Sequence, residues 1–177
     1  EEAPALQGGL SLSDESGFYL SVWGSNVDFL AEGTLELDVM LGWSGDINED
    51  WSTDVGIMRY GYPNAEIDGS NFWELYGSLS YKDLTFGLAY SDDYYANSGN
   101  FIYAYANYSY ALTDNLTLDL HIGQNEYDES SASYLDWSVG VSTELLGAGI
   151  SLSYVDTDIE DSYLADSRVI FTISKSF

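Results

Sequence analysis

His121 is the only histidine in the chain, and it sits where every second residue is polar or small: Thr117, Asp119, His121 and Gly123. Residues two apart share one face of an extended strand, so Asp119 lies beside His121, and Asp136 on the following strand can stand opposite. A histidine between carboxylates can act as a general acid or base, which would suit an envelope hydrolase. No motif supplies a nucleophile, however, and there is no cysteine. Thiol chemistry, thiolate metal sites and disulfides are therefore excluded. A lone histidine among polar neighbours more often serves as a hydrogen-bonding group, so no catalytic residue and no enzymatic activity are expected.

A second acidic group is Asp156, Asp158, Glu160 and Asp161, with Asp166 beyond it. Hard cations such as calcium take several carboxylate oxygens, and this loop could supply them. It lacks the glycine and terminal glutamate spacing of an EF-hand, which leaves a solvated acidic loop as the plainer reading. No other cofactor is expected. Asp92, Asp93, Glu126, Asp128 and Glu129 fall in loops on the same side. Together these loops would form a negative mouth that attracts cations or bridges to lipopolysaccharide through divalent ions.

The third group is spread over many strands. Glu36, Asp38, Asp54, Glu74, Asp119, His121 and Asp136 all occupy the polar face of an alternating segment. Carboxylates lining a narrow wet passage favour cations and repel anions, because low-dielectric walls focus the field. That arrangement predicts a small diffusion channel for cationic or polar solutes. In a filled interior, the same acids would only hydrogen-bond tyrosine and serine. Tyr19, Trp23, Tyr60, Tyr103, Tyr105 and Tyr134 also point inward and would narrow any passage. Aromatic faces with carboxylates would also suit an organic cation.

Such a group needs a wall, and the composition permits one kind. The chain has 177 residues, 30 acidic against 4 basic, for a formal net charge of -26. Nucleic acid is excluded as a partner, since phosphates would be repelled. Disorder is the usual outcome of such acidity, but 16% aromatic content argues against it. No apolar run approaches the length of a spanning helix. The sequence begins at Glu1 and Glu2 with no charged-then-apolar segment, so an exported protein is expected to be represented here by a processed or truncated chain.

Eleven strands are legible from alternation bounded by Gly, Asn, Asp and Ser clusters. They fall at residues 6–13, 17–24, 34–43, 51–62, 71–81, 84–90, 101–111, 116–123, 134–141, 149–154 and 166–177. In 34–43, Leu35, Leu37, Val39, Leu41 and Trp43 oppose Glu36, Asp38 and Met40. In 101–111 the outer face is ambiguous, with Ala104, Ala106, Tyr108 and Tyr110 the better candidates for lipid. Counting back from the end, connections 156–167, 124–133, 91–100 and 63–70 are long. Those at 144–146, 112–115, 82–83 and 14–16 are short, and 44–50 is of middling length. Segregation of loop length by strand parity marks an outer-membrane barrel with long extracellular loops and short periplasmic turns; a soluble sandwich has no reason for it.

The fold expected is therefore all-β: a transmembrane antiparallel up-and-down β-barrel, residues 1–177 forming one domain in the bacterial outer membrane. Trp43, Trp73, Tyr81, Tyr90, Tyr110 and Tyr154 fall near strand ends on the apolar face and read as the interfacial girdle. An odd strand count leaves an unpaired edge in lipid, so a twelfth strand ahead of residue 1 is expected, with ten strands as the fallback.

Several stretches carry a family resemblance: ALQGG at 5–9, ESGFY at 15–19, SNVDF at 25–29, LELD at 35–38, DWSVGVS at 136–142, YVDTD at 154–158 and SRVIFTISKSF at 167–177. These resemble the TorF-type porin family, a proteobacterial outer-membrane family earlier labelled conserved hypothetical. The resemblance implies an outer-membrane barrel with an additional strand upstream of ALQGG, and no catalytic set. It also implies that Phe177 is the terminal aromatic read by the barrel assembly machinery. Lys175 departs from that pattern, standing where another apolar residue is usual.

Overall fold

The computed structural model describes residues 4–27, 35–63, 65–128, 133–160 and 162–175. Asp161, Glu129 and Phe177 lie outside the described residues. Alternation becomes strand throughout: β1 (Gln7–Ser13), β2 (Phe18–Asn26), β3 (Leu35–Asp46), β4 (Trp51–Gly61), β5 (Phe72–Tyr81) and β6 (Leu84–Ser91). These are followed by β7 (Phe101–Thr113), β8 (Leu116–Tyr127), β9 (Tyr134–Leu145), β10 (Ala148–Thr157) and β11 (Arg168–Ser174). They form one sheet in chain order, each strand antiparallel to its neighbours. No α-helix occurs among the described residues; a 3-10 turn at Tyr95–Asn97 interrupts the β6–β7 connection.

Several strands outrun their apolar alternation. β3 continues through Ser44–Asp46, where Ser44 pairs with Asp54 and Asp46 with Ser52. β8 continues to Tyr127, which pairs with Phe101. Backbone pairing needs no apolar side chain, so polar residues at the rims extend the ladder. The middling connection at 44–50 accordingly shrinks to 47–50, and loop length then alternates without exception. The turns at 14–17, 47–50, 82–83, 114–115 and 146–147 all lie at one end, and the longer loops all lie at the other. In one of the three two-residue turns, Leu146 and Gly147 are both at positive φ (55° and 70°). That is the conformation a two-residue hairpin with right-handed strand twist requires.

The sheet is rolled. Tyr19 on β2 and Tyr105 on β7 line one cavity, yet five inter-strand steps would separate those strands by about 24 Å in a flat sheet. On the convex face, Leu35, Leu37, Val39, Leu41, Leu75, Phe86, Leu88, Val139 and Leu152 stay substantially exposed. On the concave face lie Asp38, Glu74, Ala89 and Asn125, all buried. Apolar outside and polar inside is the reverse of a water-soluble domain and the pattern a bilayer demands. β1 and β11 run in the same direction at the two edges and are exposed along their whole length. The expected twelfth strand is not among the described residues, and eleven strands rule out the ten-strand fallback.

Candidate functional site in the barrel interior

Register places every candidate acid on the concave face. Glu36 pairs with Ser25, Asp38 with Trp23 and Tyr60, Asp54 with Ser44 and Ser78, and Glu74 with Met58. Asp119 pairs with Ser109 and Gly140, His121 with Asn107 and Ser138, and Asp136 with Gly123. They divide into groups with different partners.

Over β7–β9, His121 Nε2 lies 2.8 Å from Asp136 Oδ1, and Nδ1 lies 2.6 Å from Asn107 Oδ1. The Tyr103 hydroxyl is 2.9 Å from the same Nε2 and donates to Asp136 Oδ1 at 3.3 Å. Asn125 Nδ2 donates to Asp136 Oδ2 at 3.0 Å. Both ring nitrogens and both carboxylate oxygens are therefore engaged. Nearer the short-turn end, Asp119 accepts from Ser109 Oγ at 2.9 Å and Ser142 Oγ at 2.6 Å. This side of the interior is a satisfied polar network.

Over β2–β5 the acids meet tyrosines and one another. Tyr19 donates to Asp54 Oδ1 at 2.7 Å, and its oxygen lies 2.5 Å from the Tyr76 hydroxyl. With the Tyr19 proton committed to Asp54, Tyr76 must be the donor of that second bond. Tyr62 donates to Glu36 Oε1 at 2.8 Å, and Tyr60 reaches Glu74 Oε1 only at 3.4 Å. Asp38, 6% exposed, lies within charge range of Glu36 and Glu74, and its buried Oδ1 has no hydrogen-bond partner among the described residues.

Tyrosines reach the interior because small residues face them across the ladder. Tyr105 opposes Gly87, and a β-carbon there would fall 2.0 Å from the Tyr105 Cζ. Tyr19 and Tyr76 occupy the space over Gly42 and Gly56 in the same way. Aromatic rings over cross-strand glycines stabilise such pairs and hold the rings along the wall.

At the long-loop end an aromatic roof gathers near Glu74. Tyr94 stacks on Phe101 (centroids 4.3 Å) and packs against Phe72 at 4.6 Å and Tyr127 at 5.7 Å, while Phe72 stacks on Tyr60 at 4.5 Å. Burial, and then the nearby Glu74 carboxylate, hold the Tyr94 hydroxyl above its ordinary pKa. Sequence reasoning missed this residue because it lies in a loop with no alternation. It also missed Arg168, which β11 sets on the concave side opposite Val155.

On the convex face, Trp43, Tyr81 and Tyr110 gather toward the short-turn end of their strands, and Trp73, Tyr90 and Tyr154 toward the long-loop end. Arg59 lies on this face, its guanidinium 5.9 Å from the Trp73 ring centroid.

The start of the acidic loop is corrected. Asp156 belongs to β10, not to a loop, and pairs with Trp137 on the convex side. Its carboxylate accepts from Thr157 N at 2.9 Å and Tyr154 Oη at 3.3 Å, and Asp158 Oδ1 accepts from Leu135 N at 2.7 Å. Asp161 is outside the described residues. Among the described residues, no three acidic or histidine side chains gather as metal ligands.

A model of a family of bacterial proteins of unknown function, Gcw_chp, matches residues 1–177. Among solved structures, a NanC porin in a rhombohedral crystal form superposes with a TM-score of 0.63 at 13% identity. That match covers 98% of this chain and 93% of the porin chain. At that identity the likeness concerns the fold. No curated protein matches in sequence.

Proposed function

Because this chain belongs to the Gcw_chp family of bacterial proteins and shares its fold with a porin, we propose that it is a passive porin-like channel of the bacterial outer membrane with a cation-preferring lumen. Membership of the TorF-type porins, which its motifs resemble, is part of the same reading. The observation that carries it is the inversion of polarity: apolar side chains exposed on the convex face, carboxylates collected on the concave one. Its long loops would lie outside the cell and its short turns in the periplasm. The lipid bilayer, lipopolysaccharide at the acidic loops, and the assembly machinery reading the terminal strand would be its partners. Small cationic or polar solutes would pass. No catalytic role is part of this reading, and His121 serves in it as a hydrogen-bonding group among Asp136, Tyr103 and Asn107. Single-channel recording in a planar bilayer tests this, with discrete KCl conductance steps expected and a silent bilayer overturning it.

One observation favours a second reading, a non-conducting structural or surface-interaction barrel. The Tyr94 ring ties β5, β7 and β8 together at the long-loop end, and the Tyr19–Asp54 bond reaches inside from β2 past β3 to β4. A silent bilayer, with the chain inserted and heat-modifiable, would support that reading instead.

A further inference from the structure

Midway along the interior is a chamber of about 370 Å³. Its walls are four tyrosines, Tyr19, Tyr76, Tyr103 and Tyr105, and both of the chain's methionines, Met40 and Met58. Two carboxylates, Asp54 and Glu74, lie among them, with small and aliphatic residues of β5 and β6 in the remaining wall. At about 30 Å³ per water, the space equals about a dozen water molecules, within the usual range of small-molecule pockets.

The chamber's charge is uncompensated. Glu74 is 7% exposed and has one long hydrogen bond, and Asp38 behind it, 6% exposed, leaves Oδ1 unpartnered among the described residues. Buried carboxylates without a counter-charge are costly. The chain cannot supply one here, because it has only four Lys and Arg side chains. Arg59 faces outward over Trp73, Lys82 pairs with Asp50 in a turn, Arg168 on the concave side of β11 lines a different cavity with His121 and Asp136 and donates to Tyr163 O, and Lys175 follows β11. A cation drawn from solution would supply that missing counter-charge.

The walls select its kind. A hard metal ion needs a shell of six or more oxygens, and no three-acid group is assembled among the described residues. Tyrosine faces and thioethers instead suit a weakly hydrated cation with an apolar body. We propose that this chamber is a binding site for organic ammonium ions carrying an aromatic or alkyl group, the rings and methionines holding the body and Asp54 and Glu74 the charge. This rests on the channel reading and names the solute class that would dwell in the passage.

The test titrates the full chain in detergent micelles with benzyltrimethylammonium, using benzyl alcohol as the neutral control, and follows heat of binding. Saturable binding of the cation but not the alcohol is expected, weakened at least tenfold in an Asp54→Asn, Glu74→Gln double variant that still shows the heat-modifiable mobility of a folded barrel. If the double variant misfolds, Met58→Phe, which fills the chamber without touching a charge, replaces it with the same expectation. Absence of saturable heat, or equal affinity in wild type and variant, overturns the proposal. The channel reading is scored separately by KCl steps: a silent bilayer with intact, variant-sensitive binding would overturn conduction and leave the site.

Discussion

The two sides of the interior carry the same residue types to opposite ends. Over β7–β9, Asp136 is surrounded by His121, Tyr103 and Asn125, each of its oxygens taken by a donor. Over β3–β5, Asp38 and Glu74 are more deeply buried yet have fewer partners, and the groups nearest Asp38 in charge terms are other carboxylates. A satisfied network rigidifies a wall, whereas an unsatisfied one keeps its field for whatever enters. The contrast teaches that counting acids on an inner face does not locate a site; counting their missing partners does.

Neutralising the two sides in turn should separate them most sharply. Asp54→Asn with Glu74→Gln is expected to abolish most of the proposed cation preference, read as a reversal potential under a KCl gradient, whereas Asp136→Asn should leave it nearly unchanged. Equal loss from both sides would break the comparison.

Stability should respond the other way round. His121→Ala removes a ring that bridges Asp136, Tyr103 and Asn107, and is expected to cost about 1–3 kcal/mol, measured by urea unfolding of the barrel in micelles. Replacing Asp38 with Asn relieves charge repulsion and should cost little or stabilise; a loss larger than that from His121→Ala would contradict the division.

A smaller effect is expected from Gly87→Ala, which puts a β-carbon 2.0 Å from the Tyr105 ring. The ring must swing toward the passage, lowering conductance and costing about 1–2 kcal/mol as overpacking does. Gly77→Ala on the convex face, where Val55 Cγ1 is 3.4 Å away, should be nearly silent in both readouts.

The smallest effect concerns the turn between β1 and β2. Asp14 accepts from Ser16 Oγ at 2.6 Å, Ser16 N at 2.9 Å and Phe18 N at 3.3 Å. The Ser16 hydroxyl first, and these amides with it, hold its carboxyl below the ordinary 3.8. A depressed folded pKa means the contribution is present above the unfolded value and fades as pH falls through the folded one. The unfolding midpoints of wild type and Asp14→Ala should therefore differ slightly at neutral pH and converge below about 3.8; divergence on acidification would contradict it.

Much of this was legible before the structure. Strand alternation assigned faces correctly in β3 and β8, since Leu37 and Val39, or Leu118 and Leu120, can face only one solvent. The β7 face was ambiguous because tyrosine suits lipid interface and wet lumen alike. What decides it is cross-strand: Tyr105 needs Gly87 and Tyr103 needs Gly123, and register between strands is not written in either strand alone. The Tyr94 roof was illegible for a related reason, since a loop residue with no period reveals its ring neighbours only after the strands are paired. Asp156 was misread because a polar rim residue looks like loop until its partner, Trp137, is known.

The most direct measurement is the reversal potential of the purified full-length chain in a planar bilayer under a KCl gradient. The proposed channel predicts discrete conductance steps with a potential displaced toward that of potassium. A silent bilayer, or a potential displaced toward chloride, would contradict the account.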